Sequence, residues 1–176
     1  MKLLAISGSA REGSTNTALL NAIKARAPQY VEFSVFHQLH TLPVFSPDLE
    51  GEATPQAVND FIELVASADG IIISSPEYIR AIPGGLKNAI DWLVSRFEVV
   101  GKPIALVHAS HRGDDMLASL RLVLATVSEN FHEDVFLRIP LMGKTPEEVS
   151  AVIEGAEYDA LISAFLAEFM EHVSSN

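Results

Sequence analysis

The chain has 176 residues, 48% of them hydrophobic and 20% charged. That length and balance suit one folded domain and exclude global disorder. Twelve Lys and Arg against 23 Asp and Glu leave a net charge of −11, which argues against nucleic acid or anionic lipid as partners, since both recognise clustered positive charge.

Cysteine is absent, so disulfides, Cys-based zinc sites, iron–sulfur clusters and cysteine nucleophiles are ruled out. The opening Met1–Ile6 is too short for a signal-peptide core. No apolar run approaches the roughly 20 residues of a membrane span. A soluble, cytoplasmic domain covering residues 1–176 is the expectation.

Apolar runs alternate with helical patterns along the whole chain. Lys2–Ser7 reads as a buried strand and Thr15–Ala27 as a helix with Ala18, Leu19, Ala22 and Ile23 on one face. Val31–Phe36 alternates like a half-buried strand, and His37–Ala53 is a long loop broken by Pro43, Pro47 and Gly51. Thr54-Pro55 reads as a helix start, with Thr as N-cap and Pro at the first helical position. Gly70–Ser75 is a third strand, followed by a helix over Gly85–Phe97. Pro103–Ser110 is a fourth strand, Asp114–Glu129 a helix and Asp134–Ile139 a fifth strand. Thr145-Pro146-Glu147-Glu148 carries a capping box that opens the last helical region, with an interruption near Gly155.

Five strands alternating with helices imply βαβ units, right-handed crossovers and a parallel sheet covered on both faces. At this length the flavodoxin-like α/β order 2-1-3-4-5 is expected, with ligands outside the carboxyl ends of the strands at the switch point between strands one and three. The loops after strands one, three and four are therefore the ones to read for chemistry.

The first loop runs Gly8-Ser9-Ala10-Arg11-Glu12-Gly13-Ser14-Thr15-Asn16. It joins a buried strand to a helix N-terminus, whose free amides and partial positive charge suit a phosphate. Ser9, Ser14, Thr15 and Asn16 add donors, and Arg11 offers a charge-assisted contact. The alternative is a capped turn, with Ser14 or Thr15 as N-cap and the arginine solvated. A Walker A loop is excluded, because no lysine lies between Lys2 and Lys24. The dinucleotide fingerprint is excluded too, because Gly8 and Gly13 are its only glycines.

The segment after strand three contains Ser75-Pro76-Glu77-Tyr78 and then Pro83-Gly84-Gly85-Leu86-Lys87-Asn88-Ala89-Ile90-Asp91-Trp92. Together with the first loop, and with Leu42-Pro43-Val44-Phe45 and Asp48, it resembles the NADPH-dependent FMN reductase family, which includes FMN, quinone, azo-dye and chromate reductases. The resemblance extends to about Arg121. It implies a flavodoxin-like fold, FMN as cofactor and NADPH or NADH as co-substrate. It further implies hydride transfer from nicotinamide C4 to flavin N5, then to a second acceptor in ping-pong order.

By that resemblance Ser9, Arg11, Ser14, Thr15 and Asn16 surround the FMN phosphate, while Pro76, Glu77 and Tyr78 line the isoalloxazine ring. A homodimer or homotetramer is also implied, with Lys87, Asn88 and Asp91 on the helix surface or subunit interface. Acceptors would be free flavin, quinones, azo compounds or metal ions. An FMN electron carrier of flavodoxin type, without NAD(P)H turnover, is the alternative, although Arg11 is unusual for one.

The chain departs from the family pattern in two places. Ile79 stands where Asn is usual, which suggests a lost hydrogen-bonding group, and Arg80 follows where a neutral residue is common. The third loop, Ala109-Ser110-His111-Arg112-Gly113-Asp114-Asp115, is bulky where the family is glycine-rich. Ser110 can donate to the flavin edge and Gly113 remains. Arg112 can meet reduced flavin or the adenosine phosphate of NADPH. Arg80 is either an anion contact or a solvated charge. One arginine on each loop (Arg11, Arg80 and Arg112) would offset the acidic background.

The remaining constellations are weak. His37, His40 and Asp48 lack a further spaced ligand and read as solvated, and His108 and His111 have no ligand partners in sequence. Ser74-Ser75-Pro76 stands where a receiver domain needs an aspartate, and no Gly-x-Ser-x-Gly elbow exists. Asp114 and Asp115 read as acids favoured at a helix N-terminus, not as an acid–base pair.

Overall fold

A computed structural model describes residues 1–175. Its strands are β1 (Lys2–Ser7), β2 (Glu32–Phe36), β3 (Gly70–Ser74), β4 (Ile104–His108) and β5 (Phe131–Arg138). Its helices are α1 (Thr15–Arg26), α2 (Gln56–Ser67), α3 (Gly84–Asp91), α4 (Asp114–Val127), α5 (Pro146–Ile153) and α6 (Ala156–Ser174). The strands form one parallel sheet in the order β2-β1-β3-β4-β5, the flavodoxin-like arrangement expected from the sequence.

The alternation of side chains along each strand divides the core in two. Leu4, Ile6, Ile71, Ile73, Ile104 and Leu106 join one layer with residues of α2, α3 and α4. Leu3, Ala5, Ile72, Ala105 and Val107 join the other with residues of α1, α5 and α6. This double burial explains the unbroken apolar run at Ile71-Ile72-Ile73. Each large side chain so buried contributes about 1.5–3 kcal/mol.

Three boundaries differ from the sequence expectation. The helix after Pro55 begins at Gln56, with Pro55 in the cap position. Thr54 Oγ1 is buried without a hydrogen-bond partner, and the Thr54 carbonyl instead accepts from Asn59 Nδ2. Helix α3 stops at Asp91, because Trp92 is buried with its indole Nε1 donating to Pro43 O over 2.8 Å. Strand β5 begins at Phe131. Between its pairings of Phe131 with Ile104 and Phe136 with Leu106 the register is irregular. That bulge turns Glu133 and Asp134 to solvent, which hides the strand from a periodicity search. The interruption near Gly155 is present and separates α5 from α6.

No helix among the described residues is long and apolar enough to cross a membrane.

Candidate functional site

The sheet reverses its winding between β1 and β3, and the loops after β1, β3 and β4 meet there. At Gly8 the amide donates to Ser74 O over 2.7 Å. A Cβ at Gly8 would lie 2.7 Å from Ser75 Oγ, so only glycine lets the first two loops pack this closely. Ser14 is the N-cap of α1 and accepts from Asn16 N over 3.2 Å. Ser9 Oγ accepts from Arg11 N over 3.3 Å. The other first-turn amides of α1 have no partner within the helix, as at any helix start. Beneath the loop lie two polar pairs: Ser7 Oγ with Thr17 Oγ1 at 2.8 Å, and Ser74 Oγ donating to Asn16 Oδ1 at 2.9 Å.

The second loop turns sharply. Tyr78 and Ala81 exchange backbone hydrogen bonds of 3.2 and 3.1 Å. Between them Ile79 and Arg80 both have positive φ, +51° and +58°. A two-residue turn of this kind favours Asn or Gly, and a β-branched residue there is strained. Ile79 is 100% exposed. The departure from the family's Asn therefore alters the turn's backbone preference.

Glu77 has a structural task. Its Oε2 accepts from Met116 N over 3.1 Å, capping helix α4, whose own N-cap residue Gly113 offers no side chain. Arg80 does not reach the ligand region. It is 81% exposed and its Nε donates to Asp115 Oδ2 over 2.6 Å. Each raises or lowers the other's pKa in the direction of a charged pair: Arg80 upward, Asp115 downward. The expected trio of arginines is thus corrected to two.

The third loop is pinned from below. His108 is buried, and its Nε2 donates to Arg112 O. Burial, helped by the nearby Arg138 charge, holds the His108 ring below the usual imidazole pKa. Ser110 Oγ accepts from Arg112 N over 3.0 Å and donates to Met142 Sδ at 3.8 Å. Gly113 has φ +101°, and a Cβ there would sit 2.8 Å from His108 Nε2. This glycine is required both by its conformation and by the histidine under it.

A cavity of about 420 Å³ opens between these loops. All eleven nominated residues line it: Ser9, Arg11, Ser14, Thr15 and Asn16 from the first loop, Pro76, Glu77 and Tyr78 from the second, and Ser110, Arg112 and Gly113 from the third. Ser75, His108, Ala109, Met142 and Gly143 also line it, and none of these was nominated from the sequence. His108 lies within the apolar run Pro103–Ser110, with no ligand partner in sequence to single it out. Met142 comes from the segment after β5, which the sequence reading did not bring to the switch point.

A larger hollow of about 500 Å³ lies at the amino ends of the strands, beside Met1, Asp69 and Lys102. There the Lys102 ammonium is bonded to the carbonyls of Ala66 and Ala68. Asn88 works within the chain. Its side chain accepts from Phe45 N at 2.8 Å and donates to Pro43 O at 2.9 Å, tying down the loop after β2. Among the described residues no three His, Asp or Glu side chains converge on a metal-sized site.

The family model described as NADPH-dependent FMN reductase matches residues 1–133. The chain belongs to that family. The FMN reductase match therefore includes all three cavity loops and ends inside β5. The quinone reductase of Escherichia coli (strain K12) is 35% identical over 117 residues, 64% of this chain and 61% of that protein. The NAD(P)H-dependent FMN reductase PA1204 of Pseudomonas aeruginosa is 36% identical over 112 residues, 62% of this chain and 60% of that protein. The chain thus spans about three fifths of the length of these curated relatives. Among solved structures, the flavoenzyme NAD(P)H:(acceptor) oxidoreductase FerB from Paracoccus denitrificans superposes with a TM-score of 0.72 at 23% identity, over 97% of this chain and 98% of that one. That likeness concerns the fold.

Proposed function

We propose that this FMN reductase family member is an FMN-dependent NAD(P)H oxidoreductase that reduces a small-molecule acceptor in ping-pong order. It would act as one domain over residues 1–176 and as a homo-oligomer in the cytoplasm. The observation that carries this reading is the convergence of a helix N-terminus, Arg11 and Asn16 with an extended loop, Pro76–Tyr78, on one cavity.

The residues present fit FMN. The first loop offers a phosphate hydroxyl and amide donors, the N-terminal end of α1 and one guanidinium. The second loop, held off helical geometry, offers backbone hydrogen-bonding groups to a flavin edge, and Tyr78 adds an aromatic wall with a polar tip. Gly8 and Gly113 keep the floor clear, since a side chain at either would strike Ser75 or His108. The bound flavin supplies the hydride acceptor and donor chemistry. The chain's own work is to hold the phosphate, orient the ring and leave one face open. No side chain is assigned as an acid or base.

The acidic surface also suits an electron carrier without NAD(P)H turnover, and one assay separates the two. Purified protein supplied with FMN should oxidise NADPH or NADH through many turnovers when an acceptor such as a benzoquinone is present. FMN-loaded protein that oxidises neither nucleotide with any acceptor would be a carrier.

A further inference from the structure

We propose that Arg112 forms an anion subsite at the cavity mouth that takes the acid group of an aromatic acceptor, so that the protein prefers anionic over neutral arenes. The inference rests on the FMN oxidoreductase reading above and names the substrate class of that same cavity.

The chain is strongly acidic, and most of its arginines are engaged. Arg26 pairs with Asp159, Arg80 with Asp115, Arg121 with Glu133 and Arg138 with Asp114. Of the two arginines that line the cavity, Arg11 and Arg112, neither has a carboxylate partner among the described residues. The acids nearest to Arg112 in sequence are Asp114 and Asp115, and both are taken by other arginines. Glu77, the one acid lining the cavity, turns its Oε2 to Met116 N. The cavity therefore brings together two guanidinium charges that no carboxylate among the described residues compensates.

The two charges have different settings. Arg11 stands beside the α1 N-terminus, where FMN phosphate would take it. Arg112 comes from the third loop, and its backbone is fixed on both sides, the N–H by Ser110 Oγ and the carbonyl by His108 Nε2. A fixed backbone lowers the ordering cost of presenting the side chain to a ligand. Around it the mouth is apolar: Tyr78 is 52% exposed and Met142 49% exposed, and both line the cavity. Ser110 Oγ also contacts Met142 Sδ and so ties this wall to the same loop. A flat aromatic body against Tyr78 and Met142, with a carboxylate or sulfonate on Arg112, satisfies both features.

The test uses two unreactive arenes of the same shape, 2-naphthoate and neutral 2-naphthamide, in equilibrium dialysis against FMN-loaded protein. Wild type should bind the naphthoate about tenfold more tightly than the amide. Arg112→Gln should bring that ratio to about one, and Arg112→Lys should restore part of it. A kinetic arm compares anthraquinone-2-sulfonate with 2-(hydroxymethyl)anthraquinone, for which the KM ratio should collapse in the same order. No preference in wild type, or a preference that survives Arg112→Gln, overturns the subsite. So does an equal loss for both arenes, which would mean that Arg112 merely holds the loop. A loss confined to discrimination between NADPH and NADH also overturns it, because the anion would then be the nucleotide's phosphate. Protein that takes up no FMN overturns both this inference and the reading beneath it, whereas FMN held without anion preference overturns this inference alone.

Discussion

Ser74 Oγ donates a hydrogen bond of 2.9 Å to Asn16 Oδ1, and both side chains are buried. The bond links the carboxyl end of β3 to the first turn of α1 across 58 positions of sequence. It fixes which way round the Asn16 amide lies. With Oδ1 occupied from below, Nδ2 is the end left for a ligand in the cavity that Asn16 lines.

Ser74→Ala removes that lock and leaves Asn16 Oδ1 buried without a partner, at a cost of about 1–3 kcal/mol in stability. If Asn16 serves the phosphate, FMN binding should weaken several-fold while riboflavin binding, which has no phosphate, stays near its wild-type value. Fluorescence titration with both flavins measures the ratio. An equal loss for both would show a general loosening of the site rather than a positioned amide.

The turn at Ile79 should respond in the opposite direction. Ile79 is fully exposed and sits at φ +51°, so no packing is lost on substitution and left-handed strain is relieved. Ile79→Asn should raise stability by about 1 kcal/mol. Ile79→Gly relieves the strain too but loosens the unfolded chain. The urea midpoint reads both, and an unchanged midpoint for Asn would show the turn to be unstrained.

Thr54 Oγ1 is buried with no partner. Thr54→Val keeps the shape and removes the stranded hydroxyl, so stability should rise by about 1 kcal/mol. The carbonyl of Thr54, which accepts from Asn59 Nδ2, is untouched. A fall in melting temperature would mean that the hydroxyl has a partner in solution.

A pair of histidines makes the fold sensitive to acid. The rings of His132 and His172 stack with centroids 4.0 Å apart. Burial first, and the neighbouring His172 second, push the His132 ring below the ordinary imidazole pKa. His108 is shifted the same way, chiefly by burial. A folded pKa below the unfolded value near 6.5 means that the unfolded chain takes up protons first as pH falls. Stability from these rings is therefore present above about pH 6.5 and lost progressively below it. His132→Gln should flatten the slope of stability between pH 7 and 5, and a wild-type slope in the variant would contradict the assignment.

Much of this was legible in the chain itself, for physical reasons. Strands buried on both faces show as unbroken apolar runs, and Ser14-Thr15-Asn16 at a helix start after a loop of small and hydroxyl residues reads as a place for an anion. All eleven residues nominated on the loops line the cavity. What stayed hidden depends on contacts distant in sequence. Arg80 looks like an anion ligand until Asp115 stands beside it. Glu77 is expected to meet the flavin through its backbone amide, and the separate task of its carboxylate, capping α4 where Gly113 offers no side chain, does not show in the sequence. The helix pattern running to Phe97 is cut at Asp91, since Trp92 and Asn88 both reach the Pro43 carbonyl. Met142 was unreachable by the same logic, because the bulge in β5 conceals where the following segment returns.

The proposed function requires this cavity to hold FMN in reach of a nicotinamide. Its most direct measurement is anaerobic mixing of the FMN-loaded protein with one equivalent of NADPH, and then of NADH, followed by absorbance near 450 nm. Rapid loss of the yellow colour is expected with at least one nucleotide, and weaker FMN retention with the fold intact in Arg11→Ala. A protein that holds FMN and stays yellow with both nucleotides would contradict it.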